Sequence, residues 1–167
     1  DIGVNKATPE LIRLFPDIHH YLVEPLVGYN KFIDDHYSGL SYDIFNICIG
    51  SQNRICELNA YSVENGLEAT HSIINNSTQQ TDPTLKHPNK DDISIGRYQS
   101  TEITLRAFVN SYVDINHRSK GDLLLKIDVD SVELDIFDSL SGISNLFCCV
   151  VVECRLPLLE KFINIAS

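Results

Sequence analysis

The sequence predicts a single α/β domain with a mostly parallel sheet, and three observations support this class. The chain has 167 residues, which is a usual length for one domain. Short apolar runs alternate with segments whose apolar residues recur at helical spacing, a pattern typical of strands joined by helical crossovers. Several of the apolar runs also end in an acidic residue, which places charged groups together at one edge of a parallel sheet.

Four apolar runs are predicted as the parallel strands. Each is rich in branched or aromatic residues and ends at a charged or turn-forming residue. The last run is apolar at odd and even positions alike, which is typical of a strand covered on both faces. The four runs are residues 21–24, 43–49, 123–128 and 146–153.

Three segments are predicted as helices. Thr8 and Pro9 suit the N-cap and the first position of a helix, and Pro16 predicts that this helix is short. Apolar residues at helical spacing predict two more helices, over about 105–113 and 132–140.

Residues 62–92 differ in composition from the rest of the chain. Only six of these residues are apolar and none is aromatic, so the segment supplies few side chains for a core. We therefore predict a long polar loop that forms a flexible insertion. It lies between predicted strands at 54–61 and 101–105.

The charge and cysteine content exclude several classes of protein. A formal net charge of −10 argues against binding nucleic acid or an anionic membrane, both of which attract Lys and Arg. The five cysteines contain no C-x-x-C pair, so no metal site is predicted. Free thiols in apolar runs favour a reducing, cytoplasmic location.

The acids at the strand ends predict where a ligand binds. Glu24, Asp128 and Glu153 each lie at or just beyond the carboxyl end of a predicted strand, and Asp1 lies where a first strand would end. In open α/β sheets the ligand binds outside the carboxyl ends of the strands.

The spacing between Gly3 and Glu24 suggests a nucleoside ligand. Glu24 follows Gly3 by 21 residues, and dinucleotide folds place a ribose-binding acid about 20 residues after the glycine turn. The turn reads Asp-x-Gly-x-Asn rather than Gly-x-Gly-x-x-Gly, and Asp1 would repel a phosphate but attract an ammonium group. S-adenosylmethionine combines a nucleoside with a positively charged amino-acid tail.

The chain resembles the FkbM family of S-adenosylmethionine-dependent methyltransferases. The segments that carry the resemblance are 1–5 (DIGVN), 23–25 (VEP), 46–50 (NICIG), 101–105 (TEITL), 124–134 (LLKIDVDSVEL) and 151–153 (VVE). The resemblance implies a Rossmann-like class I methyltransferase sheet, with a β element inserted between its third and fourth strands. It also implies a sheet that is incomplete at one or both ends here, and O-methylation of a sugar or secondary metabolite.

Together, spacing and resemblance indicate a set of site residues. The cofactor is expected at Asp1, Gly3, Asn5, Glu24, Pro25, Gly50 and Asp128. Asp128 or Asp130 is expected to take the proton of the acceptor hydroxyl. Asp130 and Ser131 stand where the family usually has Glu and Gly. Glu24 lies at the end of a predicted strand rather than in the core, so we expect it to contribute little to folding.

Two alternative functions stay open. The first is a non-catalytic module that retains the fold and binds a nucleoside or a partner. The second is an NAD-type oxidoreductase, which the absence of a glycine-rich pyrophosphate turn makes the weaker reading.

Overall fold

The computed structural model describes residues 1–62, 71–74, 93–129 and 132–153. They form a mixed α/β fold with small, mostly parallel sheets. Asp130, Ser131 and the segment from residue 154 onward lie outside the described residues.

The first sheet consists of two parallel pairs of strands joined by one residue. β1 (His19–Val23) pairs with β2 (Ser41–Phe45), and β7 (Leu123–Ile127) pairs with β8 (Phe147–Val152). Ile2 forms parallel bridges to both Val23 and Ile127. The order across the sheet is therefore β2-β1-Ile2-β7-β8, and the predicted parallel pairing is confirmed.

The second sheet lies between β2 and β7 in the sequence. It consists of β3 (Cys48–Gly50), β4 (Arg54–Ser62), β5 (His71–Ile74) and β6 (Ile93–Thr104) in the order β3-β6-β4-β5. β3 runs parallel to β6, whereas β4 is antiparallel to both of its neighbours.

In the described part of the chain, four short α-helices connect the strands. They are α1 (Pro9–Leu14), α2 (Asn30–His36), α3 (Leu105–Tyr112) and α4 (Glu133–Asp138). The Thr104 hydroxyl caps α3 by accepting a hydrogen bond from the Ala107 N–H at 3.2 Å. Thr8 precedes α1 as predicted, but its side chain makes no capping bond there. None of the helices in the described part of the chain has the length and apolar character needed to cross a membrane.

The predicted strand 43–49 is wrong as a single element. The structure divides it between β2 and β3, which belong to different sheets. Between them, the Asn46 side chain donates to the Glu24 carbonyl at 2.8 Å and exchanges hydrogen bonds with Asn30. A side chain that bonds to the backbone in this way competes with the ladder and turns the chain.

The predicted loop 62–92 is also wrong in part. Residues His71–Ile74 form β5, which pairs with β4 from Leu58 to Tyr61. β6 begins at Ile93, eight residues before the predicted strand 101–105 (101 − 93 = 8). Long-range antiparallel pairing with β4 supplies the hydrogen bonds that composition alone does not reveal. The other residues of the predicted insertion, 63–70 and 75–92, lie outside the described residues.

The buried apolar side chains form one core cluster that draws on both sheets and on the helices. Its largest fully buried members include Leu22, Ile33, Tyr37, Leu105 and Ile127. The prediction that 146–153 is covered on both faces is not confirmed, because Cys148, Cys149 and Val151 of β8 are exposed.

Candidate functional site

The turn of residues 1–5 packs directly on the end of β7. The Ile2 N–H donates to the Lys126 carbonyl at 2.9 Å, and the Asp128 N–H donates back to Ile2 at 3.0 Å. Gly3 has φ +79°, and a Cβ on it would lie 1.7 Å from the Asp128 carbonyl oxygen. Only glycine combines this conformation with this close approach.

Glu24 joins that turn to the end of β1. Its carboxylate accepts hydrogen bonds from the N–H groups of Asn5 and Leu26, each at 2.9 Å. Asn5 itself has φ +54°, in the left-handed region. Glu24 is therefore a buried clamp, only 5% exposed, and not the solvent-exposed acid on which the expectation of a small contribution to folding depended.

Burial controls the protonation of Glu24. Loss of solvent around the carboxyl group raises its pKa to about 7, and the two backbone donors oppose this rise only in part. Its described hydrogen bonds come from uncharged backbone groups rather than from a cation. The group is thus poised to gain or lose a proton near neutral pH.

Asp1, Lys126 and Asp128 form a charged cluster beside the glycine turn. The Lys126 ammonium donates to Asp128 Oδ2 at 2.9 Å and lies 3.5 Å from Asp1 Oδ1. The Asp1 side chain is 2% exposed, and neither of its carboxylate oxygens accepts a hydrogen bond from the described residues. Two carboxylates therefore share one ammonium group. The cluster keeps an excess negative charge that a second positive group would balance.

Gly50, at which the cofactor was expected, lies in the second sheet. It is the last residue of β3, and a Cβ on it would lie 2.2 Å from Glu102 Oε1. Glu102 is buried and accepts from Arg54 Nε at 2.6 Å. Close packing on Glu102 explains this glycine without a ligand.

The structure brings most of the predicted residues to one place. We call the carboxyl ends of β1 and β7, with the turn between them, the carboxyl rim; it contains Asp1, Gly3, Asn5, Glu24, Pro25 and Asp128. Among the described residues, no hydrogen bond joins Gly50 to this rim. Asp130 lies outside the described residues.

Sequence reasoning gave too little weight to three polar residues. Lys126 is the cation that holds Asp1 and Asp128, and Asn30 at the start of α2 bonds to Asn46 in the segment after β2. The signal for Lys126 was a single charge inside an apolar strand. The pairing of the two asparagines could not be read from their separation in sequence.

A cleft of about 450 Å³ opens on the other side of Asp1. Its walls include residues from β1, β7, α1 and α3. Of the predicted site residues, Asp1 alone lines it. The cleft and the carboxyl rim are therefore separate features that meet at Asp1.

Comparisons with known proteins and a search for metal ligands add no assignment. No family model matches the chain, and neither the curated proteins nor the solved structures give a significant match. Within the described residues, no group of three or more His, Cys, Asp or Glu side chains is arranged to hold a metal ion.

Proposed function

We propose that this chain is a Rossmann-like methyltransferase domain of the FkbM type, which uses S-adenosylmethionine to methylate a hydroxyl group of a small acceptor. The observation that carries the proposal is the glycine turn, which is packed between two strand ends. Gly3 lies against the Asp128 carbonyl, and Asn5 donates to Glu24. Open α/β sheets bind nucleosides at such an edge.

The strand order supports the same proposal. If Ile2 is counted as the end of a first strand, β1 and β2 are the second and third strands and β7 is the fourth. The second sheet is then inserted between the third and the fourth strands, which is the position that the FkbM resemblance implies for the extra β element.

The residues of the carboxyl rim fit the two ends of this cofactor. Asp1 has a buried carboxylate without a described hydrogen-bond donor, which suits an ammonium group. Glu24 has a carboxylate that suits the two hydroxyls of a ribose. When bound, S-adenosylmethionine supplies a methyl group already activated on a sulfonium.

The protein's own task is then to align the acceptor and to take its proton. Asp128 is 40% exposed, and its second carboxylate oxygen makes no described hydrogen bond. It can therefore reach an acceptor hydroxyl while Lys126 holds the first oxygen. Asp130 is the other candidate for this base.

One observation favours the non-catalytic alternative. Both carboxylate oxygens of Glu24 already accept backbone hydrogen bonds, and the side chain is almost fully buried. A purely structural clamp would look the same. An NAD-type oxidoreductase has less support, because the turn lacks the glycine-rich pyrophosphate sequence.

Calorimetry at pH 7 with S-adenosylhomocysteine and NAD tests the proposal. We expect binding of the first ligand and none of the second. Glu24→Gln should weaken binding by about 10-fold or more, because a hydrogen bond to a charged group contributes about 1.5–3 kcal/mol. The exposed Asp138→Asn is the matched control and should bind normally.

The pH dependence sharpens this test. Ribose hydroxyls donate to the carboxylate form of Glu24, so affinity should rise as pH rises toward the Glu24 pKa of about 7 and level off above it. In Glu24→Gln that dependence should be absent. A wild-type protein that binds neither ligand between pH 6 and 8, while remaining folded, refutes the cofactor assignment.

Turnover separates an enzyme from a binding module. With a hydroxylated acceptor and S-adenosylmethionine, Asp128→Asn and Asp130→Asn should reduce kcat more than they reduce cofactor affinity. Binding without turnover on any hydroxylated acceptor would favour the non-catalytic module.

We also propose a cytoplasmic location, which the free thiols of Cys48, Cys56, Cys148 and Cys149 support.

A further inference from the structure

A second cluster of polar side chains lies at the amino ends of β1 and β2, at the opposite edge of the sheet from the carboxyl rim. His19 is the first residue of β1 and Ser41 is the first residue of β2, and the parallel register places them side by side. Tyr21 and Asp43 are another pair in the same register. Because side chains alternate along a strand, these four side chains share one face of the sheet.

Both ring nitrogens of His19 make hydrogen bonds within this cluster. Nδ1 lies 2.8 Å from the Ser41 hydroxyl, and Nε2 lies 3.1 Å from Asp43 Oδ2. A neutral imidazole has one N–H and one acceptor nitrogen, and a carboxylate only accepts. In the neutral form Nε2 therefore donates to Asp43, which leaves Nδ1 to accept from the Ser41 hydroxyl.

Ser41, His19 and Asp43 are thus connected in the order of a nucleophilic triad. In such a site a serine hydroxyl donates to an imidazole, and a carboxylate orients the imidazole through its other nitrogen. The two ring nitrogens exchange their usual places here, because Nδ1 rather than Nε2 faces the serine. A triad is defined by the roles of its groups, and the exchange leaves a basic nitrogen on the side of the serine.

The imidazole of His19 also packs against a fixed aromatic ring. The Tyr21 ring lies edge-on to it, with 4.6 Å between the ring centroids. The Tyr21 hydroxyl accepts from the Asp114 N–H at 3.0 Å and bonds to His117 Nδ1 at 2.8 Å. Tyr21 is therefore held at both ends, and it limits rotation of the imidazole away from Ser41. A base that is positioned before the reaction loses less entropy during it.

The nucleophile is open to solvent, whereas the base is partly shielded from it. Ser41 is exposed, and the Asp43 side chain is 60% exposed, but the His19 side chain is only 23% exposed. A small reagent can therefore reach the Ser41 hydroxyl without a change in the fold.

We propose that Ser41 is a nucleophile that accepts acyl groups from activated esters and thioesters, with His19 as its base and Asp43 as the group that orients the base. The Ser41 oxygen forms a bond to the acyl carbon while its proton passes to Nδ1 of His19. The bond from the acyl carbon to the leaving oxygen or sulfur then breaks, and the leaving group takes the proton from His19.

Reaction of the intact chain with p-nitrophenyl acetate tests this proposal, with each acetylated residue located by peptide mass spectrometry. Ser38 is also exposed and precedes Ser41 by three residues, so it reports background acetylation in the same digest. We expect Ser41 to be acetylated at least about tenfold faster than Ser38, because a positioned base accelerates such reactions by about 100-fold or more.

Three variants test the roles of the individual groups. His19→Gln should reduce the rate at Ser41 to that at Ser38, because glutamine cannot take the proton. Asp43→Asn should reduce it severalfold, because an amide can donate to Nε2 and so favours the wrong tautomer. The exposed Asp35→Asn is the matched control and should keep the wild-type rate.

Equal rates at Ser41 and Ser38 in the wild type overturn the proposal. An unchanged rate at Ser41 in folded His19→Gln also overturns it. If His19→Gln does not fold, the exposed Asp43→Asn decides, and an unchanged rate there has the same meaning. These outcomes do not depend on the proposed methyltransferase activity, because S-adenosylmethionine is left out of the experiment.

Discussion

The two sheets each bury a glutamate, but they hold it in different ways. Glu24, at the end of β1, accepts only backbone N–H groups in the described structure. Glu102, on β6 of the second sheet, accepts from the Arg54 side chain at 2.6 Å and from the Gln52 N–H at 3.3 Å. The first acid is held by neutral donors and the second by a cation.

This difference determines what each carboxylate loses when its partners change. A carboxylate held by neutral donors in a buried place can take up a proton or accept a ligand's hydroxyl groups at modest cost. A carboxylate paired with a guanidinium loses a charged partner if it moves. The comparison supports the proposal that the carboxyl rim binds the ligand.

One glycine in each sheet region is closely packed, and the two differ in what they pack against. Gly3 is pressed against backbone, whereas Gly50 is pressed against the end of the Glu102 side chain. We therefore expect the largest loss of stability from Gly3→Ala. Its Cβ would overlap the Asp128 carbonyl, and its φ of +79° disfavours any side chain.

Gly3→Ala should lower the free energy of unfolding by about 3–5 kcal/mol, from strain in the left-handed region together with overpacking. Urea denaturation measures this change. Gly28→Ala is the matched control, because a Cβ there meets nothing within 4 Å. Equal losses in the two variants would show that the turn does not pack on β7 as described.

The next largest effect is the pH dependence of stability contributed by Glu24. Its pKa is raised from 4.5 in the unfolded chain to about 7 in the folded protein. The stability from this group is therefore fully present below pH 4.5 and is lost as pH rises to about 7. At about 1.4 kcal/mol per pH unit, the loss across that window is about 3 kcal/mol.

Denaturation of Glu24→Gln across this window isolates the contribution, because glutamine does not titrate. The difference in unfolding free energy between wild type and Glu24→Gln should shrink or reverse as pH rises, and then remain constant above pH 7. The exposed Glu10→Gln should follow the wild type. A parallel course for wild type and Glu24→Gln would mean that folding does not shift the pKa of Glu24.

How much of this could be read from the sequence differs between the two sheets. The parallel strands of the first sheet, the glycine turn and the acids at the strand ends were predictable, because each depends on a local pattern and on the known geometry of parallel sheets. The position of Glu24 beside the glycine turn followed from its spacing from Gly3. The burial of Glu24 did not, because the Leu26 N–H and the packing around it are tertiary features.

The second sheet was less predictable for a physical reason. β5 and most of β6 form by antiparallel pairing with β4, and polar residues interrupt the apolar ones along β6. Likewise, the break after Phe45 depends on Asn46 bonding to residues 16 and 22 positions away in the chain. Hydrogen bonds between residues far apart in the sequence therefore determine β5, β6 and the break after β2. A local sequence pattern does not reveal such bonds.

A smaller effect is expected from breaking the ion pair of Glu102. Arg54→Met removes the cation and leaves a buried carboxylate with one weaker donor, the Gln52 N–H. Loss of one partner of a buried pair costs about 3–5 kcal/mol. Because the Arg54 side chain is 30% exposed, we expect less, about 2 kcal/mol.

The double variant Arg54→Met, Glu102→Gln tests the cause of that loss. It removes the unpaired charge and should recover part of the stability, as measured by urea denaturation at pH 7. If Arg54→Met alone is neutral, Glu102 is not held by its cation, and the contrast with Glu24 fails.

The smallest expected effect is that of Gly50→Ala, and it bears most directly on the two kinds of packing. The added Cβ meets the carboxylate end of Glu102 rather than backbone, and this end can rotate if its bond to Arg54 is given up. The cost should be about 1–2 kcal/mol, less than that of Gly3→Ala, because a side chain yields more readily than a peptide group.

The cause can be isolated by repeating Gly50→Ala in a Glu102→Ala background, where the obstructing carboxylate is gone. There the alanine should cost almost nothing, so the two substitutions should be coupled by about 1 kcal/mol in a double-mutant cycle. Additive losses would mean that Gly50 is required by its backbone rather than by Glu102, and that it belongs with Gly3 among the residues on which the fold of the site depends.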